Sequence, residues 1–298
     1  MQPAVLLLLL LLAPAAQAAD LSGPGEITAP GSYRLVADVA GGGIRIGSSD
    51  VILDGGGHQV VGSRGPGTVG VLVDGPVANV TVANLTLRNW DIGVECRGVA
   101  GGRIVDVNAE NCTKNGLFID RCRGLELRHV AAVRNGFPGV ALNGSTACRV
   151  VNATATGNGD VGIYLLGSAG CTVEQSTADA NLLNGVCLEG TGTSAVLGCT
   201  LDRNGYPGVA VNGGSRVLIS GNRISGNRLA AIWLEGTGPC VVTRNEAVGD
   251  GAGLVVRNAT ARPLTGGNLW LTPRQLDGGT VPIPSLFSPP LLPPRSVA

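Results

Sequence analysis

The chain has 298 residues, with 21 acidic and 21 basic side chains and no net charge. That balance, without a basic stripe, excludes a nucleic-acid-binding surface. Glycine supplies 48 residues and Phe, Tyr and Trp only three each, which fits tight turns and a core of small side chains.

Residues 1–18 read as a secretory signal. An apolar run at 6–12 precedes Ala16, Gln17 and Ala18, an A-x-A cleavage site. The run is too short to span a bilayer, and no later segment qualifies. The mature chain is therefore expected to be exported (secreted, periplasmic or at the cell surface), soluble and monomeric. Residues 19–42 precede the regular pattern and are assigned to an N-terminal cap.

From 43 to 262 the sequence repeats. Gly93, Gly116, Gly139, Gly162, Gly185 and Gly208 are 23 residues apart; Gly70 and Ala231 extend the series, and Gly253 follows at 22. A fixed period in the twenties means a solenoid. One and three residues after each marker sit aliphatic columns, for example Val140 and Leu142, Ile163 and Leu165, Val186 and Leu188. Such alternation is that of a strand with one inward face. A second strand follows near marker+11 (Leu127, Val150, Val173) and a third apolar stretch near +14 to +17. These features predict an all-β, single right-handed parallel β-helix of about ten coils, on the order of 50 Å long at roughly 4.8 Å per coil. A leucine-rich repeat would need a helical half, which Val, Thr, Gly and Asn disfavour.

Four residues before the next marker stands an asparagine: Asn89, Asn135, Asn158, Asn181, Asn204 and Asn227, with Cys112 as the exception. Asparagine tolerates the left-handed turn conformation and stacks into hydrogen-bonded ladders, so the column is read as a structural turn. Of the eight cysteines, most fall in inward columns and read as small buried hydrophobes. Cys148 and Cys171 stack in neighbouring coils, where free thiols and a bridge are both open. Six glycosylation sequons begin at Asn79, Asn84, Asn111, Asn143, Asn152 and Asn258. Residues 263–298 lose the period and read as a C-terminal cap followed by a Pro-rich tail.

The outward face of the first strand is the candidate site. Its marker+2 column contains Glu95, Phe118, Ala141, Tyr164, Cys187, Ala210 and Trp233; its marker+4 column contains Asp120, Asn143, Glu189, Asn212 and Glu235. Rings stack on sugar faces and amides take hydroxyls, so Phe118, Tyr164, Trp233, Asn143 and Asn212 are the expected substrate-binding residues. Asp120, Glu189 and Glu235 are the candidate catalytic carboxylates, with Glu189 and Glu235 two coils apart. The motif Arg-Asn-Gly-Phe-Pro-Gly-Val-Ala-Leu-Asn-Gly at 134–144 recurs as Arg-Asn-Gly-Tyr-Pro-Gly-Val-Ala-Val-Asn-Gly at 203–213, an offset of 69 that also relates Tyr164 to Trp233. Duplication of three coils accounts for it. One Met, one Lys (Lys114) and two separated His (His58 and His129) provide no metal set, and no cofactor is expected.

Residues 27–35, 43–46 and 49–58, with the coils that follow, resemble NosD-type β-helix proteins and the carbohydrate-binding and sugar-hydrolase (CASH) domains. The NosD resemblance implies a periplasmic accessory protein for a copper enzyme. The polysaccharide lyase and polygalacturonase relatives imply carboxylates with basic partners on the first-strand face. The expectation taken forward is an exported β-helix presenting that face to a polysaccharide, with a polysaccharide-active enzyme and an accessory or structural protein as alternatives.

Overall fold

The computed structural model describes residues 18–271 and the backbone of 276–277. The signal sequence, apart from its last residue, and most of the Pro-rich tail lie outside the described residues. Every named strand pairing is parallel, and each coil contributes three strands to three parallel stacks. The first stack runs through Leu117–Asp120, Val140–Asn143, Ile163–Leu166, Val186–Glu189, Val209–Asn212 and Ile232–Glu235, each in register with the next. The second joins Glu126–Arg128 to Arg149–Val151 and onward; the third joins Ala131–Val133 to Thr154–Thr156 and onward. Register follows from burial. A one-residue slip would turn the inward aliphatics to solvent, and Val140, Ile163, Leu165, Val186, Leu188 and Val209 are completely buried.

Ala19–Leu21, Gly25–Ile27, Gly31–Leu35 and Val39–Ala40 already pair in register with the following coils. The segment assigned to a cap is thus built as shorter coils. At the other end Leu264–Gly266, Leu269–Leu271 and Leu276–Asp277 continue the stacks. Two long strands, Val69–Arg88 and Ile92–Glu110, run through corners without a break in pairing, apart from a register shift between Asp74 and Val77.

The asparagine column is a continuous buried ladder. Asn135 Nδ2 donates to Asn158 Oδ1 at 3.1 Å, Asn158 to Asn181 at 2.9 Å, Asn181 to Asn204 at 3.0 Å, Asn204 to Asn227 at 2.9 Å, and Asn227 to Asp250 Oδ1 at 2.8 Å. Each of these amides also donates to a main-chain carbonyl of the preceding coil, as Asn158 does to Ala132. Two details correct the sequence reading. The left-handed residue is the one before the rung, Arg134, Ala180 or Arg203, and not the asparagine itself. Asn89 also belongs to that preceding position (φ 60), while Trp90 fills the rung and donates from Nε1 to the Val60 carbonyl at 2.9 Å.

The ladder explains the marker glycines. A Cβ on Gly139 would lie 2.6 Å from Asn158 Nδ2, and one on Gly162 would lie 2.7 Å from both Asn181 Nδ2 and the Gly185 carbonyl. A second ladder, Asn222 to Asn245 to Asn268, lines another corner. All eight cysteines are buried and free. Burial raises the thiols of Cys112, Cys122 and Cys199 to about 11, as suits inert core residues.

Candidate functional site

The turn ahead of each first strand lies beside that strand's outer face. Residues two before the marker stack through their main chains, Phe137 N–H donating to the Lys114 carbonyl, Leu183 to Asp160 and Tyr206 to Leu183. Val161, from the same turns, packs in a buried cluster with Cys187 and Ala210, and Tyr164 and Leu183 lie against it. The marker+2 column is therefore a floor. The turns flank it on one side, and the marker+4 side chains flank it on the other.

At the middle of this floor the Tyr164 hydroxyl donates to Glu189 Oε2 at 2.6 Å, across to the next coil. Both residues are half-buried. Burial first, then the hydrogen bond to Glu189, raises the Tyr164 pKa far above that of a free phenol, so the ring stays neutral. Asp160, on the turn side, acts electrostatically on both Tyr164 and Cys187, as does Glu189 from the strand side. Burial raises the Asp160 pKa, opposed by the Val161 N–H that donates to its Oδ1 at 2.8 Å. The two carboxylates so placed sit in different surroundings. One is bonded by a phenol; the other is desolvated.

The coils nearer the N-terminus carry carboxylates that are matched to cations. Asp120 accepts from Asn143 Nδ2 at 2.8 Å and from Arg121 at 2.7 Å. Glu95 pairs with Arg97 at 2.7 Å, and Asp91 with Lys114 at 2.7 Å. Burial works to raise the Asp91 pKa, but hydrogen bonds from Lys114, Thr113 and the Gly67 N–H outweigh it and leave it lowered. Of the expected binding residues, Phe118, Asn143 and Asn212 are half-buried along the face.

Trp233 departs from the expectation of an open ring. It is 3% exposed, packed with Ala230, Ala252 and Val255, and the Arg257 guanidinium lies 4.7 Å from its centroid. Neighbours with small side chains let the next coil close over the indole, so no sugar can stack there. Its Nε1 donates to Glu235 Oε2 at 3.1 Å, which leaves Glu235 holding the ring. Asp120, Glu189 and Glu235 thus stand at separate stations along the face.

Two matches to the model of the right-handed beta helix region, over residues 34–178 and 138–268, cover most of the chain. The chain belongs to this right-handed β-helix family. No curated protein matches the sequence. Among solved structures, this β-helix is similar to the A-module of the Azotobacter vinelandii mannuronan C-5 epimerase AlgE4 (17% identity, 88% of this chain and 91% of that one, TM-score 0.60). It is also similar to the periplasmic alginate epimerase AlgG (12%, 80% and 72%, TM-score 0.63) and to pectate lyase Pel9A (15%, 74% and 70%, TM-score 0.52). At such identities the likeness establishes the fold.

Within the β-helix, sequence columns put Tyr164 and Glu189 on the face where they are hydrogen-bonded, but did not single out Asp160, Phe137 and Tyr206 beside it. All three lie two residues before a marker. Phe137 and Tyr206 were visible in the duplicated motif, while Asp160 stands alone in its column beside Leu183 and carried no pattern. Among the described residues, no group of three or more His, Cys, Asp or Glu side chains is arranged to hold a metal ion.

Proposed function

We propose that this β-helix is a polysaccharide-active enzyme that holds an extended glycan along the first-strand face. The hydrogen bond from Tyr164 to Glu189 carries the reading. A neutral phenol bound to a carboxylate on a half-open floor is a proton-transfer pair within reach of a ligand. Asn143 and Asn212 lie one coil to either side of this pair and offer amides to sugar hydroxyls. Phe118, Phe137, Tyr164 and Tyr206 offer half-buried rings. One coil rises about 4.8 Å, comparable to the length of one sugar unit, so successive units would meet successive coils. The epimerases and the pectate lyase named above, which by name act on mannuronan, alginate and pectate, support a polysaccharide as the ligand class, and an exported location is consistent with it.

Binding without turnover is the second reading, and the half-buried rings favour it. Burial of Trp233 weakens it, because the largest expected stacking platform is closed. The test is retention of the mature chain in gels containing neutral or acidic polysaccharides, with release of reducing ends followed in parallel. Retention and turnover are expected, and Tyr164→Phe with Glu189→Gln should abolish turnover while leaving the fold intact. Retention without turnover would select the binding module. Neither response would refute the proposal and leave an accessory or structural role.

A further inference from the structure

We propose that the apolar, Pro-rich segment 280–294 of this chain docks on the outer faces of the second and third stacks, at the C-terminal end of the rod. Those faces change character along the axis. On the second, one outward column holds Arg103, Glu126 and Arg149 in consecutive early coils, and Leu218, Val241 and Leu264 in the last three. On the third, Asp179 and Asp202 give way to Val248 and Leu271, again in register. Leu264, Leu269 and Leu271 are 69%, 51% and 57% exposed. Leu218 and Val248 are exposed as well, and elsewhere among the described residues only Val36, Ile52 and Leu182 are large, apolar and exposed. At the last corner between the two faces stand Gly266 and Gly267, which carry no side chain, so the apolar surface runs on as a collar.

Single apolar side chains are ordinary on a surface, whereas a contiguous apolar collar marks an interaction. The chain itself supplies the cover. Leu276 and Asp277 pair with Val255 and Val256 in the first stack, and in each coil the second stack comes next. The residues after Asp277 are thereby delivered to the side where Leu264 stands. Residues 278–294 contain no charged side chain, and Val281, Ile283, Leu286, Phe287, Leu291 and Leu292 are interspersed with six prolines. Proline has no N–H to give to a ladder, so this segment is unsuited to a further coil of paired strands. Its apolar side chains still favour burial. An outer face satisfies both conditions, because it asks no main-chain bonds of its occupant.

Length and charge agree with this occupant. A proline-rich chain rising about 3.1 Å per residue carries residues 280–294 over roughly 45 Å. Two short strands and the corner between them span on the order of 20–30 Å. Residues 264–271 are themselves uncharged, so the collar calls for no charged partner. A second copy seated there would leave the apolar segment of each chain without cover. Docking on these two faces leaves the first-strand face open, so the inference stands independently of the polysaccharide reading.

In the full mature chain, Ser285→Cys would carry a bimane label; the eight native thiols are buried and stay unlabelled. Tryptophan quenches bimane at contact. Leu264→Trp should remove most of the emission, whereas Leu182→Trp, at an exposed turn position ahead of a first strand, should leave it unchanged. Equal emission in the two variants would overturn the proposal. Quenching in mixtures, with the label on one chain and Leu264→Trp on another, would place a second copy on the collar and overturn it too. Deletion of residues 280–298 should uncover the collar, so that the apolar dye ANS brightens several-fold. Adding Leu264→Ser and Leu271→Ser to the deletion should reverse that rise while the far-ultraviolet circular dichroism stays the same. Dye emission unchanged by the deletion would show that this segment does not cover the collar, and would equally overturn the inference.

Discussion

The Tyr164 and Trp233 stations are related by the 69-residue offset of the three-coil repeat, and the proposed function makes the first a reacting centre where the second is a packing centre. At the first, Asp160 stands two residues before the marker and Glu189 accepts from the ring hydroxyl. At the second, the matching positions hold Leu229 and Arg257, and the ring is covered instead of offered. Both use the same geometry, an aromatic ring on the floor met by a marker+4 side chain of the next coil. Opposite outcomes follow from small residues. Ala230, Ala252 and Val255 close over the indole, whereas Tyr164 stays half open beside Val161 and Leu183. In a solenoid the backbone repeats faithfully, and function is decided by which side chains the adjacent coils bring to a floor position.

Stability should separate the stations first. Trp233→Ala is expected to cost about 3–5 kcal/mol, the usual range for a buried aromatic ring, while Tyr164→Ala should cost less than half as much. Urea midpoints at constant m-value measure both, and equal losses would mean that the Trp233 packing does not distinguish the stations. Asn181→Ala removes a rung shared by neighbouring coils and leaves buried partners unpaired, at about 1–3 kcal/mol by the same assay.

The smallest effect concerns the end of the ladder beyond the second station. Asp250 accepts from Asn227 on Oδ1, but its buried Oδ2 has no partner. In the rungs before it an amide nitrogen occupies the corresponding place. Burial raises the Asp250 pKa against the lowering effect of the Asn227 hydrogen bonds. A raised folded pKa makes its contribution to stability complete below the ordinary 3.8 and lost as pH rises through the folded value. Asp250→Asn should therefore raise the melting temperature at pH 7 by a few degrees, corresponding to about 1 kcal/mol, and flatten the acid side of its pH dependence. An unchanged profile would show that Asp250 does not titrate with folding.

The fold was legible because a period of 23 writes the same inward columns many times over, and each copy constrains the others. Tyr164 and Glu189 were legible for the same reason, since they fall in strand columns. Asp160 was not, because it lies in a turn, where alternation says nothing about which way a side chain leans. Trp233 was misjudged as open because alternation fixes a face and not its coverage, and coverage depends on Val255 in a coil that is one residue shorter. Asn89 was misplaced by a similar one-residue change, which moves Trp90 onto the rung. Periodicity is blind to such local shifts until the register is seen.

The most direct measurement compares initial rates of the parent, Glu189→Gln and Glu235→Gln on whichever polysaccharide is turned over. The Tyr164 station as reacting centre predicts a loss of about 10²-fold or more for Glu189→Gln, with Glu235→Gln close to the parent once its stability is matched. A rate that survives Glu189→Gln and collapses in Glu235→Gln would place the chemistry at the Trp233 station and contradict the account.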